Sequence, residues 1–336
     1  MTRPATVDIA LPVRDASATI AEALDSIRRQ TFTDFRCLVL DDGSRDDGLD
    51  VVRAFTADDP RFELHEFPPR GIVATLNDAL RLATAPYVAR MDADDRMSPE
   101  RLERQLGAAE RDASIDVVSS RVRFFGDGVS PGLLRYETWL NSLVTHDDIV
   151  RDLFVESPIP HPSVMMRTGA LRRLGGYRDV PGPEDYDLWL RAWRNGMRFA
   201  KCEQTLVEIR DHAARLTKTG ARYSTRELIA CKAEHAVAGF GWEGRGLIVW
   251  GAGRDGKRIA RGLRRAGAAI DAFVDIAPTK VGRSLLGVDV LPYDSLRSGS
   301  RCPIVVAVGT LGAREKIRTE LVSWGFADGA DFVCFA

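Results

Sequence analysis

The sequence predicts an α/β protein with two domains, each a largely parallel β-sheet covered by helices. Over residues 7–91, apolar runs of strand length alternate with stretches of helical periodicity, the β-α-β-α order typical of such sheets. A group of glycines at 239–246 interrupts this pattern, and the same order restarts after it. With 336 residues, 45% of them hydrophobic, the chain is long enough for two cores.

The elements of the first domain follow from the spacing of apolar residues. Strands are predicted at Val7–Val13, Phe35–Leu40, Phe62–Phe67 and Tyr87–Met91. Helices are predicted at Ile20–Ile27, Val51–Phe55, Leu76–Ala83 and Glu184–Trp193, with short ones at Trp139–Val144 and Ile149–Phe154 in an otherwise irregular stretch. Ser98 and Pro99 have the residue types of a helix N-cap and first helical position.

The second domain begins after a helix with a capping box. Ser224 and Glu227 have the spacing of that motif, and the helix is predicted to run to about Gly239. Strands are then predicted at Leu247–Trp250, Ile270–Asp275 and Ile304–Val308, with a helix at Ile259–Ala266. We therefore predict domains at 1–215 and 246–336, joined by a helical linker at 216–245.

Composition argues against several classes of protein. Lys and Arg total 47 and Asp and Glu total 48, so the net charge of −1 does not suit a surface built for nucleic acid. The five cysteines form no CxxC pair, which favours buried thiols in a reducing compartment over disulfides or zinc. Met1–Asp8 lacks a signal-peptide core, and no apolar run is long enough to span a bilayer. We expect a soluble, cytoplasmic protein, with peripheral contact to the inner membrane face and homo-oligomerisation left open.

Acidic residues follow two of the predicted parallel strands. Asp42 follows one strand, and Asp92, Asp94 and Asp95 follow another, at the sheet edge where ligands bind in such folds. Two carboxylates ~4 Å apart repel by about 4 kcal/mol at an effective dielectric constant near 20. Mg²⁺ or Mn²⁺ would offset this repulsion and neutralise a diphosphate. A solvated acidic turn is the alternative.

Asp42 and the pair Glu184-Asp185 each have both a chemical and a structural interpretation. Asp42 could accept hydrogen bonds from a base or ribose, or could form an Asx-turn with Gly43 and Ser44. Glu184 and Asp185 open a predicted helix, where a carboxylate could act as a general base. Acids in a first helical turn also stabilise the helix dipole, by about 0.3–1 kcal/mol.

These clusters, in this order, resemble a family-two glycosyltransferase with the GT-A fold, over residues 1–215. The matching stretches are Leu11–Asp15, Val39–Ser44, Ala89–Asp95, Ser98–Leu102, His161–Arg167, Gly175–Tyr177 and Glu184–Arg191. The resemblance implies a nucleotide-sugar-binding domain with a mixed, mostly parallel sheet, and metal-dependent, inverting transfer of a sugar to an acceptor hydroxyl. It also implies Mn²⁺ or Mg²⁺ as cofactor, a UDP-sugar as the commonest donor, and a glycan or lipid-linked acceptor in surface polysaccharide assembly.

The resemblance further implies roles for individual residues. Donor contacts fall on Pro12, Val13, Asp42, Asn77, Asp92 and Ala93. Asp94 would ligate the metal, together with His212, for which a purely structural role is the alternative. Asp185 would be the catalytic base and Glu184 would support the acceptor. The chain departs from the family pattern at Arg14-Asp15, where Tyr-Asn is common, and at Leu76, where Arg is common.

The second domain carries a glycine motif of its own. Gly251, Gly253 and Gly256 form a GxGxxG between a strand and a helix, and Asp275 ends the next strand. However, Asp255 would place a negative charge where a pyrophosphate binds. The segment resembles the small Rossmann-like module found at the start of some sugar acyltransferases. Nucleotide or effector binding and a structural role in assembly both remain open.

Three other functions compete with sugar transfer. A non-catalytic scaffold that binds a sugar nucleotide would not need both Asp94 and Asp185. An NAD-binding oxidoreductase acting through Gly251–Gly256 would leave the acidic clusters of the first domain unexplained. A nucleotidylyltransferase would need a glycine-rich phosphate loop with a lysine after the first strand, and Pro12–Asp15 has no glycine.

Overall fold

The computed structural model describes residues 5–299 and 302–336 and consists of two compact units. The first contains the chain up to residue 149 together with 158–180 and 191–219, and the second contains 150–157, 181–190 and the chain from residue 220. Both units are discontinuous in sequence, whereas the domains predicted at 1–215, 216–245 and 246–336 are continuous segments, and those boundaries stay a prediction. The first four residues of Met1–Asp8 lie outside the described residues.

An eight-stranded sheet forms the centre of the first unit. Its strands are β1 (Val7–Val13), β2 (Phe35–Asp42), β3 (Phe62–Phe67), β4 (Tyr87–Arg90), β5 (Arg96–Met97), β6 (Ile115–Phe125), β7 (Met165–Arg167) and β8 (Arg198–Arg210). They are ordered β3-β2-β1-β4-β7-β6-β8-β5. Pairing is parallel from β3 to β4 and between β6 and β8, whereas β7 and β5 pair antiparallel to their neighbours. The predicted mixed, mostly parallel α/β sheet is confirmed.

Nine α-helices lie in the described part of the chain up to residue 219, and two of them include residues of the second unit, at 150–152 and 184–190. They are α1 (Ile20–Arg28), α2 (Gly48–Asp58), α3 (Ile72–Leu82), α4 (Arg101–Arg111), α5 (Pro131–Ser142), α6 (His146–Asp152), α7 (Thr168–Arg173), α8 (Glu184–Arg194) and α9 (Leu216–Thr219). The last six residues of β2 are all buried, so both faces of this strand are covered. This explains its continuous apolar run, because a parallel strand between two helical layers exposes neither face.

The predicted N-cap at Ser98 is wrong. Helix α4 begins at Arg101, with Glu100 at the N-cap position. The backbone N–H of Ser98 donates to Leu206 of β8, at 2.9 Å, and its carbonyl accepts from the Gln30 side chain, at 2.7 Å. Ser98 therefore continues the pairing of β5 with β8, and this pairing between distant residues overrides the local capping preference.

The second unit contains a six-stranded sheet. Its strands are β9 (Gly246–Trp250), β10 (Ala269–Asp275), β11 (Ser284–Leu285), β12 (Val288–Pro292), β13 (Ile304–Val306) and β14 (Phe332–Cys334), in the order β11-β12-β10-β9-β13-β14. All neighbours are parallel except β11 and β12. The helices α10 (Thr225–Phe240), α11 (Arg254–Arg265) and α12 (Ala313–Ser323) complete this α/β arrangement. The Ser224 hydroxyl caps α10 by accepting from the Glu227 N–H, which confirms the predicted helix start.

The length and polarity of the helices bear on membrane topology. Among residues 5–299 and 302–336, no helix combines the length and the apolar character that crossing a bilayer requires.

Candidate active site

Three carboxylates lie together beyond the end of β4. The N–H of Met91 donates to Ala10 of β1, at 3.1 Å, and the chain then turns through Asp92, Asp94 and Asp95. Carboxylate oxygens of the three aspartates lie within 4.8 Å of one another. The turn therefore concentrates negative charge at the carboxyl edge of the parallel strands β1 and β4.

Asp95 is the most deeply buried member of this group, with 2% of its surface exposed. Its Oδ1 accepts from the N–H of Arg210, at 2.8 Å, whereas its buried Oδ2 has no hydrogen-bond partner within the described part of the chain. Burial, followed by the charges of Asp92 and Asp94, raises the pKa of Asp95 well above its usual range. An unsatisfied buried oxygen beside two more carboxylates is an environment that a cation would stabilise.

The end of β8 brings an imidazole to the same turn. Arg210, the last residue of β8, donates from Nε to the carbonyl oxygen of Asp94, at 2.9 Å. Two residues later, Nε2 of His212 lies 2.9 Å from Oδ2 of Asp94. Both side chains are partly exposed, at 38% and 30%. The two residues predicted as metal ligands are thus brought into direct contact.

The chemistry of this group fits a hard divalent cation. Carboxylate oxygens and one imidazole nitrogen are ligands that Mn²⁺ and Mg²⁺ accept, and they include no sulfur. Asp92, Asp94 and Asp95 are the grouped carboxylates that could hold the ion, and His212 lies in contact with Asp94. Asp92 is also paired with the guanidinium of Arg90. The sequence interpretation placed Asp95 in the cluster without a ligand role. Ala93, predicted with Asp92 to contact the donor, is buried at 8% exposure.

The two acids at the end of β2 have different environments. Asp41 accepts from the N–H groups of Gly43 and Ser44, at 3.1 Å each, and so forms the turn that the sequence suggested as the alternative for Asp42. Asp42 instead accepts from the N–H of Arg70, at 2.6 Å, and of Gly71, at 3.0 Å. Asp42 therefore anchors the loop that follows β3, and its contact with a base or ribose stays a prediction.

The loop after β1 is fixed against the loop after β2. Pro12 and Val13, the predicted donor contacts, are the last residues of β1 and lie beside Leu40 and Asp41. Beyond them, Asp15 has a positive φ of 49° and its carboxylate accepts from the Arg45 N–H, at 2.7 Å. This rare backbone conformation for a residue other than glycine is held by the neighbouring loop.

The side chain of Asn77 forms hydrogen bonds with a distant segment of the backbone. Its side-chain amide donates to the carbonyl of Tyr177, at 2.8 Å, and accepts from the N–H of the same residue, at 2.9 Å. The Tyr177 hydroxyl lies 2.9 Å from Nε2 of His161. Burial, followed by the charge of Arg90, lowers the pKa of His161 well below its usual range. Asn77 thus orders the loop around Tyr177, and its predicted proximity to the donor stays a prediction.

The second unit contains the predicted base. Glu184 and Asp185 are the first two residues of α8, and Glu184 is buried at 4% exposure. The Tyr223 hydroxyl lies 2.8 and 3.0 Å from the two carboxylate oxygens of Glu184, and Nη1 of Arg222 lies 3.5 Å from one of them. Asp185 is less buried, and its Oδ1 accepts from the N–H of Tyr186, at 2.7 Å. The sequence interpretation missed Tyr223 and Arg222, since nothing local relates them to Glu184.

A second group of ligand-type side chains lies one helical turn further along α8. Nε2 of His235 is 3.0 Å from Oδ1 of Asp187, and the thiol of Cys231 lies within 4.8 Å of their ligand atoms. Cys231 and His235 are four residues apart on α10, so they lie on one face of that helix. The buried hydrogen bond between Asp187 and His235 joins α8 to α10 within this unit.

The glycine motif of the second unit forms a tight strand-to-helix turn. A Cβ on Gly256 would lie 1.7 Å from the carbonyl oxygen of Gly251, so only glycine fits there, whereas a Cβ on Gly253 would meet nothing closer than Lys280, at 4.0 Å. Asp275 accepts from the N–H of Ala252, at 2.8 Å, and from Nζ of Lys280, at 2.9 Å. Burial opposes the charge of Asp275, but these hydrogen bonds outweigh it and lower the pKa. Nucleotide binding at this turn stays a prediction.

The comparisons with known proteins establish the family. The model of glycosyl transferase family 2 matches residues 8–175, half of the chain, and the chain belongs to this family. EpsE of Bacillus subtilis (strain 168), whose name classes it with the glycosyltransferases, is 29% identical over 224 residues, 65% of this chain and 77% of its own. The UDP-Gal:alpha-D-GlcNAc-diphosphoundecaprenol beta-1,3-galactosyltransferase of Escherichia coli is 27% identical over 232 residues, 66% of this chain and 80% of its own.

Solved structures show the same fold. Residues 1–349 of S. aureus TarS, in complex with UDP-GlcNAc, superpose with a TM-score of 0.57 at 16% identity, covering 77% of this chain and 72% of that one. The mannosyltransferase PcManGT from Pyrobaculum calidifontis, in complex with GDP-Man and Mn²⁺, gives a TM-score of 0.52 at 23% identity, covering 71% of this chain and 64% of that one. The chain is thus a glycosyltransferase of the GT-A type.

Proposed function

We propose that this glycosyltransferase is metal-dependent and inverting, and that it transfers a sugar from a UDP-sugar to a hydroxyl of a glycan or lipid-linked acceptor. The observation that carries the proposal is the group of Asp92, Asp94 and Asp95 at the carboxyl edge of β4, with His212 in contact with Asp94. The UDP-linked donor named for the Escherichia coli relative supports the donor class, and its diphosphoundecaprenol acceptor supports a lipid-linked acceptor. Action at the cytoplasmic face of a membrane is part of the same proposal.

The proposed chemistry is a single displacement. Asp185 accepts the proton of the acceptor hydroxyl while the hydroxyl oxygen bonds to the anomeric carbon, on the face opposite the leaving group. The bond from the anomeric carbon to the diphosphate oxygen breaks, and its electron pair leaves with the nucleoside diphosphate. One displacement of this kind inverts the anomeric configuration. Glu184 supports the acceptor next to Asp185.

The donor is held by the first unit in this proposal. Pro12 and Val13 line the nucleobase site through their backbone, and Asp42, Asn77, Asp92 and Ala93 complete the donor contacts. Asp94, with Asp95 and His212 beside it, would hold a divalent cation, which when bound would supply positive charge to the departing diphosphate.

Thermal unfolding against nucleoside diphosphates and nucleotide sugars, each with and without Mn²⁺, tests donor and metal together. A ligand at 100 times its Kd adds about 2.7 kcal/mol of stability. We expect a uridine nucleotide to stabilise the wild type only when Mn²⁺ is present. Asp94→Ala should abolish this effect, and Asp289→Ala, a change at an exposed residue of β12, should preserve it. Stabilisation by NAD instead, with no response to any sugar nucleotide, would favour the oxidoreductase alternative.

The base assignment has a separate test. Asp185→Asn keeps the shape of the side chain but cannot accept the proton, so transfer should fall by at least about 100-fold while donor binding persists. A non-catalytic scaffold would bind the donor equally well in both proteins and transfer sugar in neither. Full transfer by Asp185→Asn would show that another group is the base.

A further inference from the structure

The buried carboxylate of Glu184 is held by a residue that lies 39 positions away in the chain. We propose that Tyr223 is a positioning residue for sugar transfer: its hydroxyl orients Glu184 and thereby fixes the first turn of α8, on which Asp185 lies. This inference rests on the proposed function, because it gives Tyr223 a role only through Glu184 and Asp185.

Tyr223 lies directly before a capped helix. It ends the short 3₁₀ turn Ala221–Tyr223, and its N–H donates to the carbonyl of Gly220, at 3.1 Å. The next residue, Ser224, is the N-cap of the sixteen-residue helix α10 and accepts from the Glu227 N–H. The phenol therefore reaches Glu184 from a hydrogen-bonded turn next to the N-terminus of a long helix.

The hydroxyl of Tyr223 is suited to act as a permanent donor. Burial raises its pKa far above the usual range, and the negative charges of Glu184 and Asp185 raise it further. The phenol therefore stays protonated at any pH at which an enzyme works. A buried carboxylate without donors is costly. The phenol supplies the hydrogen bond to Glu184, and the guanidinium of Arg222 adds an ion pair at 3.5 Å.

Glu184 and Asp185 are adjacent in the same helical turn, so a change in one is transmitted to the other. Asp185 accepts from the N–H of Tyr186, whose own hydroxyl donates to the carbonyl of Leu153, at 2.7 Å. Hydrogen bonds of Tyr186 and Glu184 thus hold the first turn of α8 in place. Tyr223 donates the one to Glu184. Loss of the Tyr223 hydroxyl frees the turn on one side and lets the predicted base leave its productive orientation.

Tyr223→Phe is the test, since it removes the hydroxyl and keeps the ring. We expect kcat to fall by about tenfold or more with the KM for the donor unchanged, because the predicted donor contacts lie on other elements. Tyr293→Phe, in the aromatic cluster around Trp250, is the matched control and should behave as the wild type.

A double-mutant cycle separates positioning from a general effect on folding. If Tyr223 acts through Glu184, Tyr223→Phe should add little to the loss already caused by Glu184→Gln. Additive losses, or a Tyr223→Phe protein with the kcat of the wild type, would overturn the proposal.

A measurement without turnover keeps this inference distinct from the proposed function. In protein labelled with ¹³C at the glutamate carboxyl, the signal lost in Glu184→Gln identifies Glu184. We expect the chemical shift of that signal to change in Tyr223→Phe, because the phenol no longer donates to the carboxylate. An unchanged chemical shift overturns the positioning role. A changed chemical shift in a chain that transfers no sugar from any donor supports the contact and refutes the transferase assignment instead.

Discussion

His212 and Asp94 are in contact, with Nε2 of the histidine 2.9 Å from Oδ2 of the aspartate, although 118 residues separate them. The contact exists because β8 runs alongside β6 in the same sheet and ends beside the turn that follows β4. A partly exposed imidazole in contact with Asp94 would be a ligand, or an orienting partner, for a bound cation.

We predict that His212→Gln weakens Mn²⁺-dependent binding of the nucleotide by about 10- to 100-fold, because it removes an imidazole from the proposed cation site. Calorimetric titration of nucleotide at fixed Mn²⁺ measures this. His65→Gln, a change on β3, serves as the control and should bind as the wild type does. Equal affinities for all three proteins would assign His212 a purely structural role.

Asn77→Ala should destabilise the chain by about 1–3 kcal/mol. The change removes both hydrogen bonds to the backbone of Tyr177 and leaves a donor and an acceptor unsatisfied. Urea unfolding provides the measurement. Asn77→Asp keeps the acceptor but sets a carboxylate oxygen against the Tyr177 carbonyl, so it should also destabilise the chain. If nucleotide affinity falls while stability is unchanged, Asn77 contacts the donor rather than supporting the loop.

Two glycines of one motif should respond differently to the same substitution. Gly256→Ala forces a Cβ to within 1.7 Å of the Gly251 carbonyl, so we expect a loss of about 3 kcal/mol or more. Gly253→Ala, with open space around its Cβ, should retain stability. Thermal unfolding of both proteins decides this, and similar midpoints would contradict the tight turn described for β9 and α11.

The environment of Lys201 predicts how the stability of the fold depends on pH. Its Nζ donates to the carbonyls of Leu140 and Pro158, and burial followed by the charge of Arg121 lowers its pKa to about 7. The unfolded chain then binds more protons than the folded one between about pH 7 and the ordinary lysine value near 10, so the contribution of Lys201 to stability rises with pH across that window. The slope for one such group is at most about 1.4 kcal/mol per pH unit.

The test for Lys201 compares the free energy of unfolding of the wild type with that of a variant, because other groups titrate in the same pH range. We expect the stability gap between the wild type and Lys201→Met to change with pH above about 7, in favour of the wild type as pH rises. Lys316→Met, at an exposed position on α12, should show a gap independent of pH. A gap for Lys201→Met that is also independent of pH would contradict the lowered pKa.

The sequence by itself determined the fold class and much of the first sheet. Strand β1 has its predicted bounds, and the strand predicted at Phe35–Leu40 extends only two residues further. Such elements are readable because apolar periodicity is a local property that burial enforces. The acidic cluster at 92–95 could be located for the same reason, since it directly follows a recognisable strand.

Tertiary structure decided what the locally ambiguous side chains do. Asp41, and not Asp42, forms the turn with Gly43, and Ser98 pairs with β8 instead of capping a helix. The contacts of His212 with Asp94 and of Tyr223 with Glu184 also arose only in the folded chain. A carboxylate or hydroxyl can be satisfied equally well by neighbours in sequence or by distant groups. Only the packing of sheets and helices, which sets the distances between remote residues, chooses between them.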